Sequence, residues 1–158
     1  MENTGSELSL AKQESPSWAA RRFGWTKIYL AGRFRDQALF KSLRDDLTLC
    51  DYKVTSRWID RSSDRPDDTE WSKEYGPLCA ETDFADIHDA DVFVLYLKNG
   101  VSTRGGMYVE LGYALCLDMD IVIIGGRTNV FTYLPCVTTL QGEDELFDWL
   151  IKYEASHA

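Results

Sequence analysis

No stretch of this chain approaches the 18 or so consecutive apolar residues of a membrane-spanning helix, and its N-terminal region lacks the charged-then-apolar layout of a signal peptide. A cytoplasmic protein with no membrane partner is therefore expected. Positive charge is scarce: 17 Lys and Arg stand against 26 Asp and Glu, for a net charge of -9. Binding to nucleic-acid phosphates rests on clustered Lys and Arg, so the expected partner is a small molecule and not a nucleic acid. Histidine is limited to His88 and His157, and Cys50, Cys79, Cys116 and Cys136 are far apart with no C-x-x-C pair. That pattern excludes a zinc-type ligand set, and no metal is expected. The thiols are expected to be reduced, three of them in apolar core surroundings. Neither Gly-x-Gly-x-x-Gly nor a P-loop is present, which leaves no support for a dinucleotide or triphosphate cradle, and no cofactor is expected.

The chain does have the means to build one ordinary core. It has 158 residues, of which 44% are apolar and 27% charged, a length suited to a single domain. Residues 1–24 are rich in Ser, Glu, Lys and Gln and read as a flexible N-terminal tail, with a short helix at about 17–23; residues 25–158 read as the folded domain. Strand-like runs occur at 27–31 (KIYLA), 53–59 (KVTSRWI), 91–97 (DVFVLYL) and 120–125 (DIVIIG), with a short fifth at 137–140. Helical patterns fall at about 35–48, 76–89, 105–117 and 143–154. Strands alternating with helices predict an α/β fold with a parallel sheet covered on both faces, and the apolar third and fourth strands are its centre. The expected architecture is a doubly wound, flavodoxin-like or Rossmann-like five-stranded sheet of order 2-1-3-4-5. The polar segment 60–69 is long for a loop and reads as a bulge or as a lid near a site.

Two acids stand where apolar residues are expected. Glu110 shares a helical face with Met107, Ala114 and Leu117, and Asp83 shares one with Cys79, Ile87 and Ala90. A buried carboxylate is costly unless it is paired or used. An ion pair with a neighbouring Arg or a cap on a backbone amide would explain either one. Their helices bracket the third strand, however, and could bring both acids above its carboxyl end, the usual ligand crevice of such sheets. Close like charges split their pKa values, which would leave one carboxylate ionised and the other protonated. Two open turns face the same crevice: Gly32-Arg33-Phe34-Arg35-Asp36 after the first strand, and Gly105-Gly106 before the helix of Glu110.

The run Lys27-Ile28-Tyr29-Leu30-Ala31-Gly32, Asp83 with Asp91 eight residues on at the start of an apolar strand, and Glu110-Leu111-Gly112-Tyr113-Ala114 together resemble the nucleoside 2-deoxyribosyltransferase family over about residues 26–152. The resemblance implies exchange of the base on a 2'-deoxyribonucleoside through a covalent intermediate. Its nucleophile would be Glu110, attacking C1' as in a retaining glycosidase. Asp83 would contact and protonate the leaving base, and Tyr29 would hold the nucleophile. Gly32, Arg33, Phe34 and Asp36 would lie along the substrate, as would Arg104, Gly105, Gly106 and Met107. Asn129 matches an asparagine that family members lend to a neighbouring subunit, which implies a homo-oligomer with shared active sites. The expected ligands are a nucleoside or nucleotide and a free nucleobase.

One residue departs from the pattern. Six positions before the nucleophile, family transferases can carry an acid and the related deoxynucleoside monophosphate hydrolases a small hydroxyl residue, whereas this chain has Arg104 after Ser102-Thr103. A guanidinium there would suit a 5'-phosphate, so a nucleoside 5'-monophosphate N-glycosidase is the second expectation. A non-catalytic nucleotide-binding sensor on the same fold is the third.

Overall fold

The computed structural model describes residues 25–62, 71–101 and 104–158. The tail with its expected short helix, most of the polar 60–69 segment, and Ser102 and Thr103 lie outside the described residues. Five parallel strands form one sheet in the order β2-β1-β3-β4-β5: β1 (Lys27–Ala31), β2 (Lys53–Val54), β3 (Val92–Tyr96), β4 (Asp120–Ile124) and β5 (Val137–Leu140). Helices α1 (Gln37–Leu49), α2 (Tyr75–Asp89), α3 (Gly106–Cys116) and α4 (Glu143–His157) connect and flank them. This is the order expected from the sequence. It places β1 beside β3, with Tyr29 opposite Phe93, so that the loops leaving these two strands open into one crevice.

Every residue of β3 is buried, and only Asp120 of β4 is exposed. This accounts for their continuous apolar sequences. Side chains alternate across the sheet: Tyr29 stacks on Phe93 with ring centroids 5.6 Å apart, whereas Tyr96 meets Phe40 of α1 edge-on at 5.8 Å. A buried strand tyrosine needs a partner for its hydroxyl, and both of these have a carboxylate.

Two expectations are corrected. The second strand does not run from 53 to 59. Ladder pairing stops at Val54 and the chain turns through a 3-10 segment at Arg57–Asp60. Side chains replace the missing rungs: the Ser56 hydroxyl accepts from Leu30 N at 2.6 Å and donates to Leu30 O at 3.1 Å, and the Trp58 indole donates to Leu30 O at 2.8 Å. An edge strand has neighbours on one side alone, so such substitution ends it early. The second correction concerns the thiols. Cys79 is buried, whereas Cys50, Cys116 and Cys136 are exposed, because Cys50 and Cys116 lie at the ends of α1 and α3 and Cys136 lies just before β5.

Candidate active site

Helix α3 buries Met107, Leu111 and Ala114 against the sheet, and Glu110 lies on the flank of that face. Its Oε1 accepts a hydrogen bond of 2.8 Å from the Tyr29 hydroxyl of β1. The turn that starts the helix depends on Gly105, whose φ of 74° lies in the left-handed region that disfavours a side chain. On the neighbouring helix α2, Asp83 is largely covered and paired with Arg61, with Nη2–Oδ1 at 2.7 Å and Nη1–Oδ2 at 3.4 Å. Tyr29, Glu110, Asp83 and Arg61 are thus one electrostatic group drawn from β1, α3, α2 and the end of the 57–60 turn.

Burial pushes the Glu110 carboxyl up to about 8; the Tyr29 hydrogen bond opposes this, the Asp83 charge adds to it and the Arg61 charge opposes it. Asp83 is also pushed above the usual carboxylate range by burial, against the downward pull of the Arg61 hydrogen bonds and charge. Tyr29 is raised well above an ordinary phenol by burial and by Glu110 and Asp83, so it remains a donor. Both acids are thus raised, and the larger rise falls on Glu110, because Arg61 sits on Asp83.

The other expected residues divide. Gly32 fits a close approach, since a Cβ there would lie 2.1 Å from Cζ of Phe40. Phe34 leans on Trp58 with ring centroids 6.3 Å apart. Arg33 grips Asp36 through Nε at 2.8 Å and Nη2 at 3.0 Å, so these two side chains form one fixed element of the turn. Met107 is buried in the core, since this first-turn residue of α3 points at the sheet. Asn129 caps the 3-10 turn Val130–Tyr133, its side chain accepting from Phe131 N at 3.0 Å. That loop is tied to α3 by the Tyr108 and Thr128 hydroxyls, 2.6 Å apart. Val130, Phe131 and Tyr133 of that turn are exposed. Arg104 lies exposed in the turn ahead of α3.

Arg61 is the residue that sequence reasoning missed. Its signal was present: Arg57 and Arg61, four apart, face Asp86 and Asp83, three apart on α2. Beside Arg61 a cavity of about 230 Å³ opens between the 57–61 segment and α2, with Arg57, Tyr75, Leu78 and Thr82 in its wall. Among the described residues no group of His, Cys, Asp and Glu is placed to hold a metal, and no helix is long and apolar enough to cross a membrane.

No family model and no curated protein matches the chain. Solved structures do. A CMP N-glycosidase, BcmB, from Clostridium botulinum aligns with 81% of this chain and 100% of its own, at a TM-score of 0.52 and 17% identity. A 2-deoxyribosyltransferase from Bacillus psychrosaccharolyticus aligns with 77% of this chain and 90% of its own, at a TM-score of 0.58 and 18% identity. At such identities the likeness is one of fold, and the fold is that of the nucleoside 2-deoxyribosyltransferases and their N-glycosidase relatives.

Proposed function

We propose that this protein is a nucleoside 2'-deoxyribosyltransferase that exchanges the base of a 2'-deoxyribonucleoside through a covalent deoxyribosyl-glutamate intermediate. The observation that carries the reading is the 2.8 Å hydrogen bond from Tyr29 to Glu110, formed at the crevice of the sheet with a second acid, Asp83, in electrostatic contact. Tyr29 fixes one carboxylate oxygen of Glu110 and leaves the other to attack C1'. The C1'–N bond breaks, its electron pair goes to the base nitrogen, and the base leaves with a proton that reaches it through Asp83. A second base then attacks C1', the C1'–O bond to Glu110 breaks, and the N–H proton of the incoming base returns through Asp83. Water in place of that base gives hydrolysis by the same chemistry.

The second reading, release of free base from a (deoxy)nucleoside 5'-monophosphate, is favoured by Arg104 in the turn ahead of Glu110 and by the likeness to a CMP N-glycosidase fold. Chromatography of the protein incubated with deoxyinosine or deoxyadenosine, with and without cytosine, and with the matching 5'-monophosphates separates the two. New deoxycytidine is the expected result. Free base released only from the monophosphates would replace the first reading with the second, and Arg104→Ala should then weaken the monophosphate about 10-fold more than the nucleoside, the scale of a charge-assisted contact. Unchanged mixtures throughout would leave a binding module.

We also propose that the protein works as a homo-oligomer. The exposed Val130, Phe131 and Tyr133 beside Asn129 support this, since contiguous exposed apolar groups mark interaction surfaces. A strictly monomeric mass in sedimentation equilibrium would remove it.

A further inference from the structure

The segment that follows β2 is laced to α2 by two Arg–Asp pairs one helical turn apart. Arg57 is bonded to the buried Asp86 through its backbone N at 2.9 Å and its Nε at 2.7 Å. Arg61 is bonded to Asp83 through both terminal nitrogens, and its Nη2 lies 3.4 Å from Cys79 O. The two pairs differ in setting. The Arg57 side chain is 66% exposed, whereas Arg61 is 13% and Asp83 18% exposed, and Arg61 also lines the cavity beside α2. The first pair fixes the turn to the helix. The second holds an acid that the proposed chemistry uses, and charge-assisted pairs of this form are directional as well as strong.

We propose that Arg61 is a positioning residue that acts through Asp83, holding that carboxylate charged and fixed in place for the leaving base. The inference rests on the catalytic reading of the site given above. A charged Asp83 meets the base as an acceptor and relay. Glu110 gives up a proton as it becomes the nucleophile, Asp83 passes a proton on, and the base nitrogen that takes the C1'–N electron pair receives it. One proton is lost by Glu110 and one is gained by the base, with no further acid required. The charged and titratable groups around Asp83 are Arg61 and Arg57 from the turn, Asp86 on its own helix, Glu110 on α3 and Tyr29 on β1.

The test compares the wild-type chain with Arg61→Met and Arg61→Lys, using carbon-13 NMR of labelled Asp side chains, with the Asp83 signal identified by its loss in Asp83→Asn. Asp83 should titrate at higher pH in Arg61→Met and return most of the way in Arg61→Lys. In base-release assays, the acid limb of kcat/KM should move to higher pH by one unit or more in Arg61→Met, with kcat at neutral pH down about 10-fold or more. An Asp83 titration identical in all three proteins would overturn the proposal. So would activity of Arg61→Met that extends to higher pH, which would mean that Asp83 works as a neutral acid. The titration needs no turnover, so a wild-type chain without base release would defeat the catalytic reading while the Asp83 signal still decides the role of Arg61.

Discussion

Glu110→Ala is expected to lower base release from a 2'-deoxyribonucleoside by at least about 10³-fold while changing ligand affinity by less than about 5-fold. A nucleophile contributes mainly in the transition state, so its removal appears in kcat far more than in binding. Among the described residues the hydrogen-bond partner of Glu110 is Tyr29, and the face of α3 that anchors the helix is carried by Met107, Leu111 and Ala114. Calorimetric titration with a substrate nucleoside, beside chromatographic rates, separates the two effects. If affinity collapses and no cleavage is found in the wild-type protein either, Glu110 is a ligand contact in a sensor. If the Ala variant still exchanges bases at a tenth of the original rate or more, the covalent route through Glu110 is wrong.

The fold could be read from the sequence because its central strands state it. The runs around Val92–Tyr96 and Asp120–Ile124 are apolar on both faces, which only a covered parallel strand tolerates, and the helical patterns between them supply the cover. The second strand was overestimated for the opposite reason. Val54, Thr55, Trp58 and Ile59 have strand-like side chains, yet Ser56 and Trp58 spend their polar atoms on Leu30 and curl the edge away. At the site, Glu110 and Asp83 stood out as acids on apolar helix faces, and burial of their surroundings bears that pattern out. Arg61 did not stand out, because an arginine in a polar segment is unremarkable until the fold brings it against Asp83, 22 residues away. The same long-range contact pulls Asp83 down and leaves the larger rise on Glu110. Periodicity reports which side of an element a residue occupies; it carries no information on which charge from another element will face it.

Glu110→Gln is expected to stabilise the fold, and to do so more as pH rises. A carboxyl at about 8 in the folded protein and near 4.5 when unfolded binds more proton in the folded state throughout that interval, so stability falls as pH climbs from one value to the other. Below 4.5 the group is neutral in both states and has no effect; above about 8 it is charged in both, and the full cost of holding a carboxylate in this site applies. Glutamine has the same shape, can accept the Tyr29 hydrogen bond, and carries no charge to bury. Each pKa unit corresponds to about 1.4 kcal/mol, and with partial solvent access the gain at pH 9 should be about 2–4 kcal/mol, or roughly 10 °C in Tm for a domain of this size. Thermal denaturation of both proteins at pH 4, 6.5 and 9 reads this directly: the curves should nearly coincide at pH 4 and separate progressively above it. A constant separation would mean that Glu110 ionises in the folded protein as an exposed acid does, which would remove the proton that the relay through Asp83 draws on. A separation that opens as described would show that the site sacrifices stability to keep that carboxyl buried, as expected where a group is placed for chemistry and not for the fold.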